Sequence, residues 1–510
     1  MSSSNPQSTN KNDGNDNPDD DIPTIPTISS SASIAAKINE QIGQDSLSPN
    51  YTSPEQVPEI VNSLHDYFDT GVSYSFQWRK DQLNGLMNIL LKHEQHWVDA
   101  MNQDMGTHFF EARLMIKNII SEIKDTLDHF EKWLKPEKRS NPWALSPGKT
   151  YVTPEPYGVV CDFIPYNYPM YLGFSTLIPI LAAGNVCLFK PSSNTPACAA
   201  LYQRLFPRFL DPKGVIVVCG PSSICDIILQ QRFDFIFYTG SPRIGKSVMA
   251  AASKYLTPVI LELGGKSPVY FDCDSNIQKC TKRLVWGKVF NGGQTCVAPD
   301  YCLVHTKIWD QLISLIKSTI LQFYGEQKSA NDNVTRIINK RHYERICNAI
   351  DNSGGEIIVN GFRNPETNYI GPTVVINPSL ESELMTDEIF GPVLPLVRVN
   401  SAEDAVKFIR QREKPLACYV MTTNSKVKQL FTEKTSSGAL MFNDTVFHVS
   451  SSSSPFGGVG NSGMGQYHGD FGVRSLSHLK PVINHETTID MEKRYPPYSE
   501  DHLNSLMKFI

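Results

Sequence analysis

The chain lacks any run of 18 apolar residues, so no membrane-spanning helix is expected. Its N-terminus lacks a charged start followed by an apolar stretch, and so does not read as a secretory signal. It lacks an excess of positive charge. The 47 Lys and Arg against 52 Asp and Glu give a formal net charge of −5, so no global field draws in nucleic acid. No CxxC pair and no finger-like spacing with histidine occur among its 11 cysteines, so no metal site is expected. The odd count and settings such as Cys187 in NVCLFK and Cys219 in VIVVCG suit small buried hydrophobes. A reducing, intracellular compartment follows, cytoplasmic or on the cytosolic face of an organelle or lipid droplet. Residues 1–55 are nearly free of aromatics and rich in Ser, Asn, Asp and Pro. Such a segment cannot bury enough apolar surface to offset its ordering entropy, so a disordered tail is expected there.

What is present is globular. The length of 510 residues and the 40% hydrophobic content suit more than one lobe. Leu83, Leu86, Leu90 and Trp97 recur at helical spacing, as do Ile116, Ile119, Ile123 and Leu127, which predicts packing stripes. From Tyr151 onward, short apolar runs alternate with helix-length segments. The strand candidates are GVVCDFI (158–164), NVCLF (185–189), GVIVVCG (214–220), FDFIFY (233–238) and TPVILEL (257–263). Continuous apolar strands suit a parallel sheet covered on both faces. The alternation predicts a doubly wound α/β domain with ligands beyond the strands' carboxyl ends. Those ends carry Pro165–Asn167, Lys190–Ser193, Thr239–Ser241 and Glu262–Gly265.

Residues 240–247, GSPRIGKS, match the phosphate-loop pattern G-x-x-x-x-G-K-[ST] between a predicted strand and a predicted helix. The run VYFD (269–272) could even supply a magnesium-binding acid. Against an NTPase stands the position: such a loop follows the first strand of its domain, and three strand candidates precede this one.

A second set of residues carries different chemistry. In NGGQTCVAPDY (291–301), Cys296 lies between glycines and a proline, which predicts a loop or helix start. Backbone N–H groups there can lower a thiol pKa and receive an oxyanion. By itself such a cysteine is more often structural. LELGGKSP (261–268) puts Glu262 at a strand end, IPYNYP (164–169) puts Asn167 at another, and EIFGPVLP (388–395) supplies Glu388. One thiol, two carboxylates and one amide form a complete set for covalent oxidation of a carbonyl.

These segments resemble the aldehyde dehydrogenase superfamily, and most of all its class 3 and fatty aldehyde dehydrogenase branch. The similar stretches are YFDTG…WRKDQL, PEPYGVVCDFIPYNYP, AAGNVCLFKPS, YTGSPRIGK, LTPVILELGGKSP, GGQTCVAPDY, EIFGPVLP and SSPFGGVGNSGMG, in family order from about residue 58 to 485. The resemblance implies Cys296 as nucleophile, Asn167 and the Cys296 N–H as oxyanion donors, and Glu262 as general base. It leaves the base role shared between Glu262 and Glu388. It implies Lys190 at the adenosine ribose, Gly240, Ser241 and Gly245 beneath the pyrophosphate, and Glu388 and Phe390 at the nicotinamide ribose. The family's own GSxxxGK loop accounts for the phosphate-loop match. The implied cofactor is NAD, and the implied reaction is oxidation of a long-chain aliphatic or an aromatic aldehyde to its acid. A non-catalytic relative is the remaining alternative.

The implied architecture is a tail (1–55), a doubly wound parallel-sheet NAD(P) domain (56–140 and 159–264) and a second α/β catalytic domain (265–445). A small β extension (141–158 and 446–485) would join a homodimer, and a C-terminal tail follows (486–510). Three departures stand out. Ser193 occupies the place of a glutamate that repels a 2′-phosphate, which predicts measurable NADP activity. Ser450–Ser454 stand where relatives carry a histidine and a leucine, which predicts a looser or more polar tunnel mouth. The chain ends at LMKFI without the branch's hydrophobic anchor, so at most peripheral membrane contact is expected.

Overall fold

A computed structural model describes residues 48–145, 148–485, 487 and 490–508. The expected N-terminal tail lies outside the described residues as far as 47, and so do parts of the expected C-terminal tail. The fold takes hold before residue 55. Thr52 donates its N–H to the Cys219 carbonyl at 2.8 Å, and Asn50 exchanges two hydrogen bonds with the Gln203 side chain. Polar composition there does not preclude order, because the backbone groups find partners.

Helices α1 (Gln56–Asp69), α2 (Phe76–Lys92), α3 (Glu94–Met105) and α4 (Phe109–Trp133) come first. Ser75 caps α2, accepting from the Gln77 and Trp78 N–H groups. The stripe of Leu83, Leu86 and Leu90 is buried on α2, while Trp97 falls on α3, beyond a break at His93. Ile116, Ile119 and Ile123 are buried on α4. Strands β1 (Glu137–Arg139) and β2 (Lys149–Pro156) follow.

All the expected apolar runs form strands: β3 (Val159–Phe163), β4 (Val186–Lys190), β5 (Val215–Val217), β6 (Phe235–Gly240) and β7 (Val259–Leu263). Between them run α5 (Pro169–Ala182), α6 (Pro196–Phe209) and α7 (Pro242–Ala252). The strands are parallel in the order β7-β6-β3-β4-β5. Connections therefore run one way from β3 through β4 to β5, then the other way from β6 to β7. The crevice between β3 and β6 is the topological switch point, where open α/β sheets bind ligands.

The second domain holds β8 (Pro268–Phe271), α8 (Ile277–Val289), β9 (Tyr301–His305), β10 (Glu356–Val359), β11 (Thr373–Ile376), β12 (Val393–Val399), β13 (Ala417–Met421) and β14 (Ala439–Phe442). Its sheet order is β10-β11-β12-β9-β8-β13-β14, parallel except for β10 at one edge.

The chain then returns. β15 (Gly463–Met464) pairs antiparallel with Leu261 and Glu262 of β7. Gly463, at φ 142°, permits this because a Cβ there would strike the Leu261 carbonyl. β16 (Ser477–Asn484) pairs with β2, and β2 with β1, in a separate three-stranded sheet. The extension thus begins at Glu137 and takes only 477–484 from the later segment, while 463–464 close the cofactor sheet. Among the described residues no helix is long and apolar enough to cross a membrane.

Candidate active site

The strand ends bring the singled-out residues together. Glu262 lies in β7, in register with Thr239 of β6. Lys190 ends β4, Gly240 ends β6, and Asn167 follows β3 by a few residues.

Cys296 sits on a turn, closed by the Ala298 N–H on the Thr295 carbonyl at 2.9 Å, and not at a helix start. After α8 the chain reverses through Asn291, Gly292 and Gly293, whose φ angles are 54°, 62° and 71°. Gly293 has no room for a side chain: a Cβ would lie 2.9 Å from the Lys288 carbonyl oxygen, with the Gly391 backbone closer still. The loop is tied down on both sides. The Gln294 amide donates to the Arg336 carbonyl at 2.9 Å and accepts from the Ile338 N–H at 3.0 Å. The Asn291 side chain donates to the Asn167 carbonyl at 2.8 Å. The Asn167 side-chain amide donates to the Gln294 carbonyl at 3.0 Å. That bond uses one of its two N–H groups and leaves the other for a ligand. Tyr168 shares a 2.5 Å hydrogen bond with Thr295.

The expected lowering of the Cys296 thiol pKa is not found. Burial pushes it up, and the Glu388 and Glu262 carboxyls add to the rise. The N–H groups of Cys296 and Val297 oppose it without prevailing. Two carboxyls brought from distant strands and loops outweigh two local dipoles.

Glu262 is 3% exposed, and neither carboxylate oxygen has a hydrogen-bond partner among the described residues. Burial raises it well above the usual carboxylate range. Glu388 is raised to about 8, by burial first and Asp300 second, against the Gly265 N–H, Lys266 and Lys288. Its segment is clamped. Arg345 donates to the carbonyls of Glu388 at 3.3 Å and Ile389 at 2.7 Å. Asp300 accepts from the Ile389 N–H at 3.2 Å, Lys266 at 2.7 Å and Lys288 at 3.4 Å. Phe390 is held at φ 50°, with its ring edge-on to Tyr166 at 6.0 Å. A non-glycine residue in the left-handed region persists only where its surroundings over-determine it.

A cavity with about 800 Å³ of empty space reaches Cys296 and Glu262. Its walls are largely apolar, with Met115, Leu172, Trp286, Phe290, Val446 and Phe447 among them. Exposed Ser450 lies in its wall while Val297 and Tyr467 are buried, so the mouth is on the Ser450 side. Of the expected serine run, Ser450 alone lines this cavity.

The cofactor side shows a fit for a dinucleotide. Lys190 is buried, its amine donating to the Pro191 carbonyl at 2.7 Å, and burial lowers its pKa. Ser241 makes no side-chain cap to α7, so the helix's first N–H groups are open to an anion. Gly245 lets α7 sit close on β7: a Cβ would come within 2.7 Å of a Leu263 methyl. Thr239 Oγ1 and Glu388 Oε1 are buried without partners among the described residues. The same geometry excludes a phosphate-wrapping loop. One residue separates β6 from α7, so Pro242–Lys246 are already helical and cannot encircle a phosphate.

Sequence reasoning assigned no role to Gln294, Lys266 or Asp300, although they lie inside quoted motifs. The same holds for Tyr168 and Thr239, which lie in the quoted IPYNYP and YTGSPRIGK stretches, whereas Arg345 lies in no quoted motif.

The model of the aldehyde dehydrogenase family matches residues 28–482. The chain is 38% identical over 459 residues to Aldehyde dehydrogenase family 3 member H1 of Arabidopsis thaliana, covering 89% of this chain and 95% of that protein. It is 38% identical over 450 residues to the dimeric NADP-preferring aldehyde dehydrogenase of Rattus norvegicus, covering 86% of this chain and 98% of that one. Among solved structures it is similar to the substrate-bound state of Staphylococcus aureus AldH, with a TM-score of 0.85 and 35% identity. That match covers 89% of this chain and 99% of the other.

Proposed function

This chain belongs to the aldehyde dehydrogenase family and is an NAD(P)-dependent aldehyde-oxidising enzyme, and from that premise we propose that Cys296 is its nucleophile, Asn167 its oxyanion donor and Glu262 its general base. The observation that carries this reading is the meeting of three features in one cavity. A half-buried thiol shares the apolar cavity with a carboxylate that has no hydrogen-bond partner among the described residues, and an anchored amide with a spare N–H adjoins the same loop.

The Cys296 thiol releases its proton to solvent and its sulfur bonds to the carbonyl carbon, while the proton that Glu262 later takes from water is the one that restores the thiol. The oxygen becomes an alkoxide, received by Asn167 and the Cys296 N–H; each such donor contributes roughly 10²–10³ in rate. NAD or NADP, held by the residues named below, would supply the acceptor for the hydride this carbon gives up, and a thioester remains on Cys296. Glu262 then takes a proton from water as the water oxygen attacks the thioester. The carbon–sulfur bond breaks, the thiol is restored and the carboxylic acid leaves. Lys190, Gly240, Ser241 and Gly245 would hold the adenosine and pyrophosphate, and Glu388 and Phe390 the nicotinamide ribose. Between the two carboxyls, Glu262 is favoured as base because it lines the substrate cavity, whereas Glu388 is embedded among Asp300, Lys266 and Lys288.

The apolar walls support a long-chain aliphatic or an aromatic substrate. Homodimerisation through the small sheet is supported by exposed Leu479, Val482 and Ile483 on its edge strand β16. The test of the whole reading mixes the protein with hexadecanal and NAD and follows nicotinamide reduction. The signal should vanish in Cys296→Ala. Equal rates in the two proteins would refute the assignment.

A further inference from the structure

Beside the apolar cavity lies a smaller annex of about 310 Å³ of empty space. Asn118, Ser450 and His468 belong to the walls of both, so the two spaces adjoin. The annex is polar where the tunnel is not. Ser121, Glu122, Ser452 and Tyr171, whose hydroxyl donates to the Val449 carbonyl at 3.2 Å, complete its set of hydrogen-bonding side chains.

Glu122 has no place in the oxidation described above. It lies on the packing face of α4, between Ile119 and Ile123, where an apolar residue would suit the helix. It is 4% exposed, and its Oε1 has no hydrogen-bond partner among the described residues. Leaving a buried carboxyl oxygen unsatisfied is unfavourable unless something answers it. The nearest basic group, His468 Nδ1, is 3.7 Å away, too far for a hydrogen bond. His468 is itself held at φ 80° at the start of a short helix, a conformation its surroundings must impose. Burial raises the Glu122 carboxyl to about 8, with Asp125 adding, and lowers His468 to about 4, with His448 adding. At neutral pH the pair is therefore a carboxylic acid beside an uncharged imidazole. Together with the Ser450 and Ser452 hydroxyls they form a surface that both donates and accepts but carries no net charge. A hydroxyl would find partners of both kinds there, the unpartnered Glu122 Oε1 and the serine hydroxyls.

We propose that this annex binds the distal hydroxyl group of a hydroxyalkanal whose aldehyde carbon lies at Cys296. The enzyme then selects its substrate at both ends. The inference rests on the reading of Cys296 as nucleophile.

The experiment uses the full chain with NAD and two matched series, plain n-alkanals and ω-hydroxyalkanals, from three carbons upward. The quantity read is the ratio of kcat/KM, hydroxy over plain, at each length. At short lengths the hydroxyl meets apolar wall and the ratio should lie below one. At the length that reaches the annex it should rise about tenfold, as expected for one or two hydrogen bonds to neutral partners. Glu122→Leu should flatten that rise, and Glu122→Gln should keep part of it. Ser452→Val serves as a second probe on a less buried residue and should lower the rise a few-fold. A ratio that does not change with length in the unaltered enzyme overturns the proposal, as does a Glu122→Leu effect equal in both series. Either result leaves plain alkanal oxidation, and hence the Cys296 reading, intact. Failure to oxidise plain alkanals would sink both.

Discussion

Replacing Glu262 by glutamine separates the two halves of the reaction. The change is isosteric, and the carboxylate has no hydrogen-bond partner among the described residues to lose, so the fold should tolerate it. Burial already disfavours the charge at this position, so a neutral amide should stabilise the protein increasingly as pH rises above the ordinary carboxylate range. What is lost is proton abstraction from water. A positioned base contributes about 10²–10⁴-fold, or roughly 3–5 kcal/mol of barrier at ~1.4 kcal/mol per decade. Attack by Cys296 and hydride departure do not need that base. The variant should therefore release close to one equivalent of reduced nicotinamide per subunit in a rapid burst and then turn over about 10²–10⁴ times more slowly than the parent. Rapid mixing of enzyme and NAD with aldehyde, read by nicotinamide fluorescence, resolves the two phases.

Two results would refute the reasoning. Steady-state turnover within a few-fold of the parent would show that another group activates water. Loss of the burst together with turnover would place Glu262 before hydride departure. Glu388→Gln is the control for the first result. Glu388 is held among Lys266, Lys288 and Asp300 beneath the expected nicotinamide ribose, so this change should weaken cofactor binding and raise its KM without producing a burst-and-stall pattern.

Ser193 is exposed just beyond β4, where a glutamate would repel a 2′-phosphate; the parent should oxidise aldehyde with NADP at millimolar concentration, and Ser193→Glu should lower kcat/KM for NADP against NAD by about tenfold or more. Thiol and base both act in their deprotonated forms, and burial raises both, so kcat/KM should climb through pH 7 toward the alkaline side. A pH–rate profile peaking below pH 6 would contradict those directions. Asp300 is buried and pairs with Lys266 and Lys288 while accepting from Ile389; Asp300→Ala should cost about 3–5 kcal/mol by leaving the buried Lys288 without its counter-ion and the Ile389 N–H without its acceptor, although Lys266 keeps the Leu384 and Asp387 carbonyls. Chemical denaturation should show a fall in midpoint, and a change under about 1 kcal/mol would mean that water enters the pair.

The strands were legible because each is a short apolar run bounded by glycine, proline or polar residues, and β3, β4, β6 and β7 fall within a few residues of the runs that predicted them. Their order was not legible, since hydrogen bonding between β3 and β6 joins residues that no local pattern connects. The phosphate-loop match shows the same limit from the other side. Its residue types are right, but the single residue between Gly240 and Pro242 leaves no loop, and only the backbone path reveals that.

The direction of the Cys296 shift turns on the same distinction. Glycines and N–H groups next to the cysteine in sequence argued for a low thiol pKa, and those groups do pull it down. What reverses the sign is burial first, and then the carboxyls brought in by β7 and by the clamped 388–390 segment, neither adjacent in the chain. Glu122 follows the same logic. In the helix pattern it is one polar letter among isoleucines, and such a letter ordinarily marks a solvated position. The loop carrying His468 covers that face of α4 and turns the letter into a buried acid beside a substrate tunnel. Local sequence thus supplies the residues proposed to react, while the electrostatics around them, and the polar annex beside the cavity, arise from segments joined only by the fold.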